Sequence, residues 1–261
     1  LIAGEPGIGK STLLLETAGN IARSYRNANG TVLYISGEES QAQVRLRATR
    51  INAVEPNLLL AATTDLATAL GLIERYKPTL AIVDSVQTII SQDVDGISGG
   101  STQVREVASA LIDTAKTLDV PVLLVGHVTK DGSIAGPRTL EHLVDVVCQF
   151  EGDSATALRL LRAVKNRFGP TDEIGCFDMS GEGIEEVSDP SGLFLSSNGD
   201  AGSTPVEGTC VTFTLDGHRS LPIEVQALVT DSVLPTPRRA VNGVDNSRIA
   251  MLTAVLYRHG K

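Results

Sequence analysis

Tryptophan is absent, aromatic residues make up only 3% of the chain, and no apolar run approaches the roughly 20 residues needed to cross a bilayer. The N-terminus also lacks a basic stretch followed by a hydrophobic one, so neither a membrane-spanning nor a secreted protein is expected. The three cysteines, Cys148, Cys176 and Cys210, are far apart and form no C-x-x-C pair. That spacing suggests neither a disulfide framework nor a zinc site, and it fits a reducing cytoplasm. Basic charge is scarce too: 22 Lys and Arg stand against 31 Asp and Glu, a net charge of -9. A protein coated in basic surface is excluded, although a local basic channel inside an assembly is not. What is present is an ordinary globular chain of 261 residues, 42% hydrophobic and 20% charged. It can bury one large core, or one core plus part of a second.

Periodicity organises that chain as alternating strands and helices. Leu1 to Ala3 reads as the end of a strand, so a fragment or a trimmed chain is expected. There follow a helix from Ser11 to about Ser24, a strand Thr31 to Ser36, a helix Ser40 to Arg50, a strand Leu58 to Ala62, and a helix from Asp65 to Tyr76 stopped by Pro78. The apolar run Leu80 to Val83 then ends on Asp84. This alternation implies an α/β fold around a mostly parallel sheet. Ser91 to Thr102, rich in Gly, Ser and Asp, reads as a loop long enough to be functional. Val104, Val107, Ala108, Leu111, Ile112, Ala115 and Leu118 recur at helical spacing, and the strand Val120 to Gly126 points its end at His127. A second polar loop, Thr129 to Pro137, leads to a short helix around Leu140 to Asp145, then to strands Val146 to Glu151 and Leu158 to Val164. A hairpin of Cys176 to Met179 with Ile184 to Val187 comes next. Ser196 to Pro205 reads as a linker, Thr209 to Leu215 and Ile223 to Val229 as a second hairpin, and Asn246 to His259 as a helix.

Residues 4–11 read G-E-P-G-I-G-K-S, the G-x-x-x-x-G-K-[ST] pattern, and they stand between a strand and a helix as the mechanism requires. Gly4, Gly7 and Gly9, with Glu5, Pro6 and Ile8 between them, let backbone N–H groups and the helix N-terminus face anionic phosphates. Lys10 supplies a point charge to the β and γ phosphates of ATP or ADP. The Ser11 hydroxyl offers an oxygen to Mg²⁺, and Thr12 closes the nucleotide-binding stretch that runs from Gly4. Asp84, ending an apolar strand, is placed as the second Mg²⁺-organising group. Many ATPases of this kind carry a water-activating Glu directly after that Asp, but here Ser85 follows, so the base comes from elsewhere. Glu38 and Glu39, in G-E-E-S at the end of another strand, are the candidates. Glu38 is favoured, and Glu39 is read as structural or as a helix N-terminal carboxylate. His127, at the same sheet edge, is suited to hydrogen-bond the γ-phosphate and relay its presence into the following loop. The alternative is a histidine satisfied at a strand terminus.

Residues 165–169 read K-N-R-F-G. Together with G-E-P-G-I-G-K-S, Y-I-S-G-E-E-S, V-D-S-V-Q-T and G-H-V-T-K-D-G, in that order along the chain, they make it resemble the RadA (Sms) family of bacterial DNA-repair proteins. The resemblance implies a RecA-like P-loop ATPase core over residues 1–195, a linker over 196–207, and a truncated α+β Lon-protease-like segment over 208–261. It implies a DNA-stimulated, helicase-like ATP hydrolase of homologous recombination and repair. Such a protein acts as a homo-oligomeric, hexameric ring on single-stranded DNA and recombination intermediates, driving branch migration alongside RecA. It also implies that the K-N-R-F-G motif works across a subunit boundary. Lys165 and Arg167, two residues apart, can then both face the γ-phosphate held by the next subunit, as an arginine finger does. The two polar loops become the single-stranded DNA surface, through Gly99, Gly100, Ser101 and Arg105 in one and Lys130, Gly132 and Arg138 in the other. Backbone donors and a few cations suit contacts to phosphates that ignore sequence.

Two features of the family pattern are not matched. Nothing in the chain supplies the family's cysteine-rich zinc module, and no Ser-Lys dyad can be placed in the Lon-like portion. A nucleotide-switched regulatory module of the KaiC-like kind, with no DNA involved, is the alternative function. A peptidase reading rests on the Lon-like tail alone.

Overall fold

A computed structural model describes residues 1–128, 140–152, 158–180, 183–187, 207–216, 219–231, 236 and 238–260. The strands are β1 (Ile2–Gly4), β2 (Val32–Ser36), β3 (Leu58–Ala62), β4 (Leu80–Asp84), β5 (Val122–His127), β6 (Val146–Gly152), β7 (Leu158–Asn166), β8 (Ile174–Ser180), β9 (Gly183–Glu186), β10 (Thr209–Asp216) and β11 (Arg219–Gln226). The helices are α1 (Lys10–Ser24), α2 (Gln41–Arg50), α3 (Leu66–Tyr76), α4 (Ser101–Leu118) and α5 (Asn246–His259). No helix among the described residues is long and apolar enough to cross a membrane.

The chain divides into two compact units, one of Leu1–Ser203 with Val211–Glu224 and the other of Thr204–Cys210 with Val225–Lys261. The first is built on a nine-stranded sheet in the order β3-β2-β4-β5-β1-β6-β7-β8-β9. From β3 to β6 all neighbours are parallel, and from β6 to β9 all are antiparallel. The expected α/β fold with a mostly parallel sheet is the observed one.

The parallel strands are apolar at nearly every position because both sheet faces are covered. Period two sorts their side chains between two cores. Val32 and Tyr34 of β2 and Ile82 of β4 pack under α1 and α2 with Leu14, Leu15 and Ala18. Leu33 and Ile35, with Ala81 and Val83, pack on the opposite face against Ile73 of α3 and Leu111 of α4. Each fully buried Leu or Ile contributes about 1.5–3 kcal/mol. Helix starts are fixed by side chains: Ser40 and Gln43 form a capping box on α2, and the Asp65 carboxylate accepts from the Thr68 N–H at the start of α3.

Most element boundaries fall within two residues of expectation. Ser101 and Thr102, read as loop, open α4 instead, with Gly100 as its N-cap. Leu140 begins a helical turn, its carbonyl accepting from the N–H groups of Leu143 and Val144, which leads into β6. In the second hairpin β11 runs over Arg219–Gln226 rather than from Ile223 to Val229. Pro222 lies inside it, and the two-stranded sheet has only edge strands, where a residue without an N–H is tolerated. In the second unit the Ala227 N–H donates to the Gly208 carbonyl, and Asp245 caps α5 through the Arg248 N–H. The expected linker falls almost wholly outside the described residues.

Candidate active site

Strand register decides which residues meet. β1 pairs β5 with Gly4 opposite His127, and β2 pairs β4 with Ser36 opposite Asp84. The strand ends preceding the phosphate loop, the G-E-E-S segment and the Asp84–Ser85 turn therefore share the carboxyl edge of the sheet, where open α/β sheets bind ligands. A cleft of about 280 Å³ opens there, lined by Pro6, Gly7, Gly9, Lys10, Ser11, Thr12, Ser36, Glu38, Glu39, Arg47, Asp84 and His127. Larger clefts of about 480 and 940 Å³ lie elsewhere, walled largely by aliphatic side chains away from these polar groups.

The phosphate loop has the backbone its glycines permit. Gly7 and Gly9 have φ of 76° and 110°, a region that side chains disfavour, and Gly9 is the N-cap of α1. At Gly4 a Cβ would stand 2.4 Å from the Phe150 carbonyl oxygen, so β1 and β6 approach only because there is none. Ile8 is buried in the α1-side core, and Glu5 is exposed. Lys10 is 3% exposed, and its ammonium donates to the Gly4 and Glu5 carbonyls at 2.8 and 2.7 Å. Desolvation lowers its pKa to about 8 against the pull of the Asp84 and Glu38 charges. A cation held this way gains from any anion brought to it.

Asp84 is 5% exposed. Its Oδ2 accepts from the Tyr34 hydroxyl at 2.5 Å, while its Oδ1 has no protein partner. Burial, then the Asp84 charge, push the Tyr34 pKa far up, so this hydroxyl remains a donor. A buried carboxylate oxygen without a partner, in the same cleft as the Ser11 hydroxyl, is the chemistry a hard divalent cation requires, so these residues fit Mg²⁺.

Glu38 and Glu39 have diverged. Glu39 pairs with Arg47 of α2 at 2.6 Å, and its N–H donates to Ser36 Oγ. Glu38 accepts from the Ser85 hydroxyl at 2.7 Å and meets His127 Nε2 at 2.8 Å, both on Oε1. The His127 hydrogen bond first, then that of Ser85 working against desolvation, lowers the Glu38 pKa to about 2. His127 Nδ1 is buried without a partner.

Lys165 and Arg167 do not line the cleft. Lys165 lies in β7 rather than after it, and its ammonium donates to the carbonyls of Glu141 and Val144. Arg167 follows the strand and pairs with Asp145 at 2.8 Å, while Phe168 stands 81% exposed. In the first polar loop Gly99 has φ 75°, and Arg105 is exposed on α4. That loop is tied down by the buried Gln103, which bonds the Ser91 N–H and carbonyl and the Val94 carbonyl. Lys130, Gly132 and Arg138 lie outside the described residues.

Tyr34, Ser85 and Arg47 were missed by sequence reasoning. Tyr34 carried a signal, since a hydroxyl on a strand buried on both faces needs a partner. Arg47 carried none beyond helical spacing.

A family model described as an AAA domain matches residues 1–133, more than half of the chain and all of the cleft-lining residues. The chain belongs to this AAA-domain family. The chain is 55% identical to DNA repair protein RadA of Mycobacterium tuberculosis (strain H37Rv), the match covering 100% of this chain and 53% of that protein. It is 47% identical to the RadA of Pseudomonas aeruginosa, covering 100% and 55%, and 45% identical to that of Bacillus subtilis, covering 98% and 54%. The resemblance to RadA therefore holds over the whole chain, which spans about half the length of these curated relatives. In fold the chain is similar to a DnaB-like replicative helicase solved with respect to its interactions with primase, with a TM-score of 0.55 at 14% identity over 69% of this chain and 55% of that one. A separately solved ATPase domain gives the same score and identity over 69% and 81%. At that identity the likeness concerns the fold alone.

Proposed function

We propose that this chain is the ATPase core of a DNA-repair protein that hydrolyses ATP and uses the cycle to move on single-stranded DNA during homologous recombination. The observation that carries this reading is the meeting of Lys10, Ser11, Asp84, Glu38 and His127 around one cleft at the carboxyl edge of a RecA-type sheet. The RadA relatives, named as DNA repair proteins, give the process.

Loop amides and Lys10 bind the β and γ phosphates, and Ser11 and Asp84 would hold Mg²⁺, which supplies charge neutralisation between those phosphates when bound. Glu38 orients a water against the γ-phosphorus. The water oxygen bonds to phosphorus, the bond to the bridging oxygen breaks with its electron pair leaving on ADP, and the water proton passes to Glu38 and then to solvent. Because phosphoryl transfer is loose, most of this work is positioning, for which a firmly ionised carboxylate held by Ser85 and His127 is suited. Lys165 and Arg167, away from their own cleft, act on the cleft of a neighbouring protomer in a ring, stabilising transition-state charge. The loop tied by Gln103 and the segment with Lys130 and Arg138 take the phosphates of single-stranded DNA. RecA, branch migration and a cytoplasmic location complete the reading, with residues 208–261 as the start of a Lon-like domain.

The experiment is ATP turnover with and without an unstructured oligonucleotide. Wild type should turn over and be stimulated, the stimulation falling as salt rises. Lys10→Ala should lose nucleotide binding, and Arg167→Ala should bind ATP without turning it over. Mixing the two should partly restore turnover, because each supplies what the other lacks. Turnover without any DNA response would favour the regulatory module, and full activity in Lys10→Ala would end the cleft assignment.

A further inference from the structure

Where many related ATPases put a glutamate, directly after the strand-end aspartate, this chain has Ser85, and the structure gives that serine something to do. Ser36 and Asp84 are opposite one another in the parallel β2–β4 pair, so the chain just past β2 runs beside the chain just past β4. The Gly37 N–H donates to the Asp84 carbonyl at 2.8 Å. A Cβ on Gly37 would stand 2.1 Å from Thr88 Oγ1, a hydroxyl that in turn donates to the Ser85 carbonyl at 2.8 Å. Glycine at 37 thus lets the two turns close on each other, and Glu38 arrives next to Ser85. Ser85 is fully buried, and its hydroxyl donates to Glu38 Oε1 at 2.7 Å. The Glu38 side chain, which lines the cleft, is 42% exposed and otherwise meets only His127, at 2.8 Å on the same oxygen, among the described residues. A carboxylate at the end of a flexible side chain is therefore pinned at one oxygen from two sides, by Ser85 just past β4 and by His127 at the end of β5, while Oε2 receives neither bond.

We infer that Ser85 is a positioning residue for ATP hydrolysis, fixing the Glu38 carboxylate so that its second oxygen meets the attacking water. A carboxylate contributed from β2 and oriented by a serine after β4 replaces the glutamate that would otherwise follow Asp84. This rests on the reading of Glu38 as the group that takes the water proton. Ser85 forms no bond to nucleotide in this scheme, so its removal leaves ground-state binding intact and weakens only the transition state.

The test is steady-state turnover of Mg–ATP by the full chain, with the affinity for a fluorescent ADP analogue measured in parallel to show an intact, folded cleft. Ser85→Ala should lower kcat by about tenfold or more, the scale on which small misplacements act. Its KM and its ADP-analogue affinity should stay within about twofold of wild type, and Ser85→Thr, which restores a hydroxyl, should recover most of the rate. In a Glu38→Gln background, read by single turnover, Ser85→Ala should bring no further loss, because the group it positions is already gone. Wild-type kcat in Ser85→Ala alongside a crippled Glu38→Gln would overturn the role of Ser85 alone. So would the same loss from Ser85→Ala in both backgrounds, or a loss of ADP-analogue affinity that Ser85→Thr does not repair. Wild-type turnover by Glu38→Gln would instead remove the assignment of Glu38, and the inference with it.

Discussion

Replacing Tyr34 by Phe deletes one hydroxyl from a side chain that is 1% exposed and leaves the ring to pack as before. That hydroxyl is the sole protein donor to the Asp84 carboxylate among the described residues: it reaches Oδ2 at 2.5 Å, and Oδ1 has no partner. The variant therefore strands a carboxylate that is 5% exposed with neither oxygen bonded to protein. Hydrogen bonds to charged groups contribute about 1.5–3 kcal/mol net, and leaving the charged partner buried and unsatisfied forfeits that amount. A loss of about 2 kcal/mol is expected from that range. For a domain of this size each kcal/mol lowers Tm by about 2–4 °C, so a thermal scan in chelator should show the variant melting about 4–8 °C below wild type. Phe keeps the ring and nearly all of the volume of Tyr, so no packing loss inflates the figure. The same variant should bind Mg–ADP more weakly, since the carboxylate that faces the cation is no longer held. A melting point indistinguishable from wild type would refute the claim that Tyr34 is what makes a buried Asp84 tolerable.

His127→Ala should raise the Glu38 pKa from about 2 toward the usual 4.5, because the His127 hydrogen bond is the largest cause of its depression; carbon NMR of the Glu38 carboxyl during an acid titration reads this directly. A carboxyl depressed in the folded state stabilises it above about pH 4.5 and loses that contribution as pH falls toward 2, and the variant, which keeps only the Ser85 bond and the Lys10 charge, should show a smaller loss. Gln103→Ala removes three hydrogen bonds that anchor the 91–100 loop from a fully buried side chain, so the amides of that loop should exchange with deuterium well before those of β4 and β5. Equal protection in variant and wild type would mean that the loop is held by something else.

The parallel sheet, its alternating helices and the phosphate loop were legible because each is written locally. Period two in V-L-Y-I-S and L-A-I-V-D fills two cores, helical spacing from Val104 to Leu118 buries one stripe, and G-E-P-G-I-G-K-S needs only its own glycines to curl. Asp84 and Glu38 could be named from strand ends for the same reason. In the second hairpin β10 matches expectation, while β11 lies three to four residues earlier in the chain than expected, because alternation around Pro222 continues in both directions and only pairing selects the register. Nothing local could say that Tyr34 would bond Asp84, 50 residues away, or that Ser85 and His127 would converge on one oxygen of Glu38. Nor could spacing show that Glu39 would pair with Arg47 while its neighbour met Ser85 and His127, or that Lys165 and Arg167 would lie against the turn before β6. By itself the sequence determined which residue types stand at the ends of which strands, since that depends on backbone periodicity and short-range sterics. Which of those side chains meet is settled by folding, because strand order and register bring together groups that the chain keeps dozens of residues apart.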